Sequence, residues 1–206
     1  MSSIRTYSRD KELVNLRREQ IARAAALLFV KKGYDKASIR EIAKGCRMSI
    51  GTLYHYVGSK DDILSLVVEF IMTLEALFGE YVSSYKTLPP TEALQKAIEN
   101  YYRGIDDIQD MVLLAYQESK NLQQKVRERT FEQEISIIKV FEEILSRGCE
   151  TGEFKVNDIT LVANNIVIIG DTWAFRRWLL AKRYTLEEYI RKQTNIIIEG
   201  IRSHNR

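Results

Sequence analysis

The only two prolines of this 206-residue chain stand side by side, at Pro89-Pro90. A proline pair cannot sit inside a helix, so Leu88-Pro89-Pro90 marks a firm break, and the long stretches on either side lack the strongest helix breaker. Glycine is sparse too, at 10 residues. An all-β chain with frequent Gly/Pro turns, a collagen and a Pro-rich linker are therefore excluded. With 45% apolar and 29% charged residues the chain can build a sizeable core. The class is all-α.

Apolar spacing and capping signals divide the chain into helices. Ile21, Ala25 and Leu28 lie on one face of a helix over 13–32, which Gly33 ends as the residue beyond its C-cap. Ser38 and Glu41 form a capping box that opens a short helix ending near Cys46. A third helix runs from Ser49 to about Tyr56. Ser59 caps a fourth, with Asp61 and Asp62 in its positive first turn and Leu64, Val67, Val68, Ile71, Leu74 and Phe78 along one stripe past Tyr81. After the prolines, Thr91 is the expected cap of a helix to about Tyr102, and another spans about 106–119. A long amphipathic helix over 123–147 carries Phe131, Ile135, Ile138, Phe141 and Leu145, with Gly148 and Gly152 at its end. The apolar segment 158–182 reads as one buried helix, and Thr185 and Glu188 form a second capping box that opens the last helix, to about Ile201.

Several functions are disfavoured by what the chain holds. Its two cysteines, Cys46 and Cys149, have no CxxC spacing, so neither a disulfide framework nor a zinc ribbon is expected. Its two histidines, His55 and His204, leave no basis for a His-based metal or catalytic cluster, and no catalytic residue is assigned. Residues 1–20 lack the apolar core of a signal peptide, and the longest apolar run, 159–169, is interrupted by Asn164 and Asn165. The expectation is a cytoplasmic protein with no membrane partner.

Charge is unevenly spread. Residues 1–60 hold 13 Lys/Arg against 5 Asp/Glu, a net of +8, whereas the rest carries 18 against 23, a net of −5. A basic head on a mildly acidic body fits a polyanion-binding module joined to something else.

The two short helices between Ser38 and Val57 have helix-turn-helix spacing, with the second placed to enter a major groove. Gly33-Tyr34, Ser38-Ile39-Arg40-Glu41-Ile42-Ala43, Ser49-Ile50-Gly51-Thr52-Leu53-Tyr54-His55-Tyr56-Val57 and Ser59-Lys60 together resemble the TetR family of transcriptional repressors, over about residues 17–77. The resemblance implies a basic flexible arm at 1–12, a DNA-binding domain at 13–77 with its helix-turn-helix at 38–57, and a helical effector-binding and dimerisation domain at 78–206. Ile42, Ala43, Met48 and Leu53 would pack the two helices together. Ser49 caps the recognition helix, Gly51 lets backbone approach DNA, and Thr52 suits a base edge. Tyr54, His55 and Tyr56 present polar tips suited to phosphates, and Lys60 stands at a helix start where charge and dipole act together. By resemblance Tyr54, Tyr56 and Lys60 are the phosphate anchors, and Ser38 and Arg40 add backbone contacts. Ile50 is placed to read thymine methyls. Arg47 stands where the family usually has glycine, so a positive φ there would be strained. Val57 replaces a common phenylalanine.

The resemblance also implies a homodimer, formed through the last two helices, that binds a palindromic double-stranded operator and is released by a small-molecule effector without a cofactor. Two stretches bear on that effector. Trp173-Ala174-Phe175-Arg176-Arg177-Trp178 gathers two Trp and two Arg, with Trp173 and Arg177 spaced to stack. Asn164, Asp171 and Trp178, spaced by seven, would share a face of the same helix. Together with Tyr116 and Glu118 in the second stretch, 116–122, they are similar to the branch that answers to acyl-coenzyme A thioesters. Arginine suits phosphate, and aromatic rings suit adenine. The same arginines suit ion pairs across a dimer interface. Asp171 or Glu118 in an aromatic pocket would instead favour a lipophilic cation, and another large hydrophobic molecule also fits. A helical enzyme or a helical adaptor would have to explain away the basic, motif-bearing N-terminus.

Overall fold

The computed structural model describes the backbone of residues 3–80 and 85–203, and the side chains of 11–72 and 85–203. Ten α-helices form among them: α1 Ser3–Lys32, α2 Ile39–Gly45, α3 Ile50–Tyr54, α4 Lys60–Glu80, α5 Pro90–Asp107, α6 Gln109–Gln117, α7 Gln124–Glu150, α8 Ile159–Phe175, α9 Arg177–Leu180 and α10 Leu186–Ile201. The described pairing of β type is a single bridge, Phe154 to Arg202. The all-α expectation holds. Tyr81 and His204 lie outside the described residues, as do the side chains of Leu74, Phe78 and the arm arginines Arg5 and Arg9.

Local signals fixed many boundaries. Gly33 takes φ +82° and donates to Phe29 O at 2.7 Å, ending α1. Both capping boxes form: Ser38 with Glu41 opens α2, and Thr185 with Glu188 opens α10. Ser59 Oγ accepts from Asp62 N–H at 3.0 Å at the head of α4.

Other boundaries depart from the sequence pattern. α1 begins at Ser3, so the arm expected to be flexible is helical backbone from its third residue. Thr91 does not cap α5; the helix starts one residue earlier, with Pro90 in its first turn. Glu153, far along the chain, accepts there from Thr91 N–H at 3.1 Å and from the Thr91 hydroxyl at 2.7 Å. Proline fits a first turn because the N–H it lacks has no intrahelical partner there. α7 runs through Gly148 to Glu150. A Cβ at Gly148 would stand 1.9 Å from the Phe154 ring, so this glycine is a docking notch and not a terminator. Phe131 is 64% exposed, because the apolar stripe of α7 extends beyond the core, which takes it up at Ile137. The segment 158–182 breaks at Arg176, where φ −120° and ψ 20° leave the helical range and separate α8 from α9.

The chain forms two compact units. The first comprises residues up to Thr73 together with Leu114–Thr130. Its buried side chains include Ile21, Ala25 and Phe29 of α1, Ile42 and Ala43 of α2, Leu53 of α3, and Ile63, Leu64, Val67 and Val68 of α4. Leu122 and Val126 of the second stretch are buried as well. The second unit comprises Leu74–Leu113 and the residues from Phe131 onward. Its core joins Leu94, Ile98, Tyr101, Tyr102 and Ile105 of α5 to Phe141 and Leu145 of α7, Ile166 and Trp173 of α8, and Tyr189 and Ile198 of α10. α5 and α8 meet closely at Gly170, where a Cβ would lie 2.8 Å from the Tyr102 ring.

Candidate nucleic-acid interface and effector site

Three side chains that face inward hold the helix-turn-helix. Ile42, Ala43 and Leu53 are fully buried, and Met48 is half-buried beside them. The turn closes through Cys46 N–H to Ile42 O at 2.9 Å and Met48 N–H to Ala43 O at 2.9 Å. Gln20 of α1 donates to Cys46 O at 3.0 Å, fastening the end of α2 to the first helix. Among the described residues Arg47 is the one non-glycine with positive φ, at 57°. The left-handed turn is thus made without glycine, at a steric cost of roughly 1–2 kcal/mol.

Ser49 caps α3: its Oγ accepts from Thr52 N–H at 3.0 Å and lies 2.7 Å from Thr52 Oγ1. Because α3 turns Leu53 inward, Ile50, Gly51, Thr52, Tyr54 and His55 are left exposed, with Tyr56 half-buried at the end. Tyr54 is 49% exposed, so its ring is not part of the core. Arg40 and Arg47 are exposed as well. Ser38 is occupied with capping, and Glu41, bonded by Lys32 and by Ser38, is held down at about 2. The Glu41 carboxylate is therefore already paired.

Lys60 is more constrained than a solvated anchor. Its Nζ donates to Asp35 O at 3.1 Å and sits 4.5 Å from the centre of the Tyr34 ring. The Tyr34 hydroxyl bonds Asp61, and burial first, then that bond, raises the phenol well above its ordinary range. The start of α4 is thereby locked to the loop after α1.

The residues that the sequence offered for an effector divide between the two units. Tyr116, exposed, and Glu118, which accepts from Asn121 Nδ2 at 2.6 Å, belong to the first. Asn164, Asp171, Trp173, Arg176, Arg177 and Trp178 belong to the second. Asn164 and Asp171 are half-buried on α8, but the break at Arg176 takes Trp178 off that helix face and leaves it 68% exposed. Trp173 does not stack on Arg177. It is buried against Tyr189, with ring centres 5.0 Å apart, and its Nε1 donates to Asp106 Oδ1 at 2.7 Å. Arg177 Nη1 stands 3.9 Å from the same oxygen, so the two residues meet through a carboxylate. An open groove of about 450 Å³ runs past Asp106, Trp173, Arg177, Lys182, Arg183 and Tyr184. Arg176 is exposed beyond the end of α8.

Asp171 has a partner that spacing did not reveal. Tyr101 Oη donates to its Oδ1 at 2.9 Å. Burial pushes the Asp171 carboxyl up to about 7, against the lowering effect of that bond, and Glu134 adds to the rise. Glu134 is itself pushed up by burial. The adjacent aromatics Tyr101-Tyr102 on α5 were the available signal, since neighbouring residues of one helix serve two different partners: Tyr102 donates to Ile166 O at 3.0 Å.

Among the described residues no three His, Cys, Asp or Glu side chains cluster as metal ligands, and no helix is long and apolar enough to cross a membrane.

Known proteins match along most of this architecture. Residues 21–67 match the family of bacterial regulatory proteins called the tetR family, and residues 87–201 match the tetracyclin repressor-like C-terminal domain. The HTH-type transcriptional regulator HbdR of Aromatoleum sp. (strain CIB) is 31% identical over 200 residues, 96% of this chain and 86% of that protein. The HTH-type transcriptional repressor KstR2 of Mycobacterium tuberculosis is 29% identical over 172 residues, 80% of this chain and 82% of that one. The crystal structure of AibR in complex with isovaleryl coenzyme A and operator DNA superposes with a TM-score of 0.72 at 23% identity, covering 87% of this chain and 97% of that one.

Proposed function

The chain belongs to the TetR family of bacterial transcriptional regulators, and from that premise we propose that it is a homodimeric repressor released from a palindromic operator by an acyl-coenzyme A thioester. It is a regulator and not an enzyme. The observation that carries the reading is α3, capped by Ser49 and turned so that Ile50, Gly51, Thr52, Tyr54 and His55 are all accessible at once. Arg40, Arg47, Tyr56 and Lys60 take phosphates, Ser38 joins them by releasing its hydroxyl from Glu41, and Thr52 and Ile50 read bases.

Dimerisation uses α8 and α10. Leu161 and Ile168 are 55% and 49% exposed along α8, and Ile196 is 63% exposed on α10. Apolar side chains left open on the last two long helices are what a symmetric helical interface would cover.

Arg176, Arg177 and Trp178 receive the polar head of the thioester, where guanidinium groups suit phosphate and the exposed indole suits adenine. The isovaleryl coenzyme A named for AibR supports this class. A second reading has one specific support: Asp171 is a largely buried carboxyl beside Tyr101 with no basic partner among its described bonds, and a lipophilic cation entering there would restore its charge.

Fluorescence anisotropy on DNA from beside the protein's own gene separates these readings. Tight, salt-sensitive binding lost on adding a long-chain acyl-coenzyme A is expected. Release by a lipophilic cation alone moves the effector to Asp171. No binding to any fragment at low salt overturns the operator reading.

A further inference from the structure

The stretch Leu114–Thr130 is distant in sequence from the helix-turn-helix, yet both lie in one compact unit. Gln123, just before α7, donates from Nε2 to Asp62 Oδ1 at 2.7 Å. The other oxygen of Asp62, Oδ2, accepts from Gly58 N–H at 3.0 Å. Gly58 follows Val57, whose own N–H returns to Leu53 O at 3.2 Å within the recognition helix. Two hydrogen bonds and one carboxylate thus connect Gln123 to the loop directly behind α3. The fit at Gly58 is tight: a Cβ there would stand 3.0 Å from Asp62 Oδ2 and would push the carboxylate by a few tenths of an ångström.

The same stretch is fastened at other points. Arg129 Nη1 bonds Glu69 Oε1 at 2.9 Å on α4. Leu122 and Val126 are buried. Glu118 is close enough for its charge to act on Tyr34, the residue that holds Lys60. Asp62 is held below the usual carboxylate range, with the Gln123 bond as the largest cause.

We propose that Gln123 and Asp62 form a positioning relay that sets the loop behind the recognition helix, so that movement of the chain between α6 and α7 changes the DNA affinity of α3. The proposal rests on the operator reading above and assigns the residues through which regulation reaches the DNA. α6 and α7 each continue into the second unit, so a displacement of either is delivered to Gly58 N–H through the two hydrogen bonds of Asp62, from Gln123 and from Gly58. Hydrogen bonds weaken steeply with misalignment, so a shift of about an ångström at Gln123 suffices.

The test uses the full-length protein and two readouts: operator affinity, and hydrogen exchange of the Gly58 amide without DNA. Gln123→Glu sets a second carboxylate against Asp62. It is expected to weaken operator binding about tenfold and to speed Gly58 exchange by a similar factor. Combining it with Asp62→Asn restores the pattern in reverse, since the introduced amide accepts from Gly58 N–H and donates to the introduced glutamate. Both readouts should then return to within about threefold of the starting protein. Gln123→Ala, which adds no charge, is carried alongside in case Gln123→Glu misfolds. Wild-type exchange and affinity in folded Gln123→Glu and Gln123→Ala would overturn the relay, as would a folded double variant that is no better than Gln123→Glu. Should even the unmutated protein bind no fragment, the operator reading falls and Gly58 exchange alone decides whether the link exists.

Discussion

Tyr101 donates its phenol hydrogen to Asp171 at 2.9 Å, and this bond does not offset the burial that lifts the carboxyl to about 7. The unfolded chain releases that proton near pH 4. Between about pH 4 and 7 the folded state therefore holds a proton the unfolded state has lost, and stability falls as pH rises through that window. Asp171→Asn removes this component. Its gain in melting temperature should be larger at pH 8 than at pH 5 by about 3–6 °C. Equal gains at the two pH values would show that Asp171 titrates normally.

Arg47 at φ 57° couples two effects of opposite sign. Arg47→Gly relieves a left-handed strain and gives back part of the gain through the unfolded chain, leaving about 0.5–1 kcal/mol of added stability. It also removes a positive charge beside α3. Thermal melts should rise by about 2–4 °C while operator affinity drops several-fold. A lower melting temperature would mean that the turn draws stability from the arginine side chain.

Tyr54→Phe and Lys60→Ala should weaken binding to all DNA sequences alike, each by roughly three- to tenfold. Only Lys60→Ala should reduce the slope of log affinity against log salt, by about 1, because only it removes a charge. A change confined to base preference would move either residue from phosphate to base contact. Lys60→Ala should also cost stability, since Nζ bonds Asp35 O.

Ile168 is half exposed on α8, so Ile168→Glu should leave the fold of one chain intact. Sedimentation should then report monomers where the unmutated protein sediments as a dimer. Operator affinity should fall by on the order of a hundredfold, as two half-sites are no longer read together. A dimer that survives this change would place the interface elsewhere.

Features that depend on neighbours in sequence were legible without coordinates. Ser38 with Glu41, and Thr185 with Glu188, cap their helices through residues three apart, and Gly33 ends α1 by its own conformational freedom. The exposed tips of α3 followed from one inward residue, Leu53, on a short helix. Features that depend on distant partners were not legible. The cap at Thr91 comes from Glu153, the partner of Asp171 is Tyr101, and the partner of Trp173 is Asp106. The break at Arg176 has no glycine or proline to announce it, so an apolar run read as one helix is two. Phe131 shows the converse: helical spacing marks a stripe but not where the core stops.

The partition of the chain into units has a consequence for anyone who wishes to exchange its parts. The boundaries fall within α4, α6 and α7, at Thr73, Leu113 and Thr130, and not in a linker. A DNA-reading head cut out at the end of α4 would leave behind Leu122 and Val126, and with them the Gln123 amide that Asp62 needs. A graft of this head onto another member of the family would have to be discontinuous, carrying residues 114–130 with it. Specificity for DNA is thus not a detachable cassette in this chain, and a new operator preference is more readily gained by changing side chains on α3 than by swapping domains.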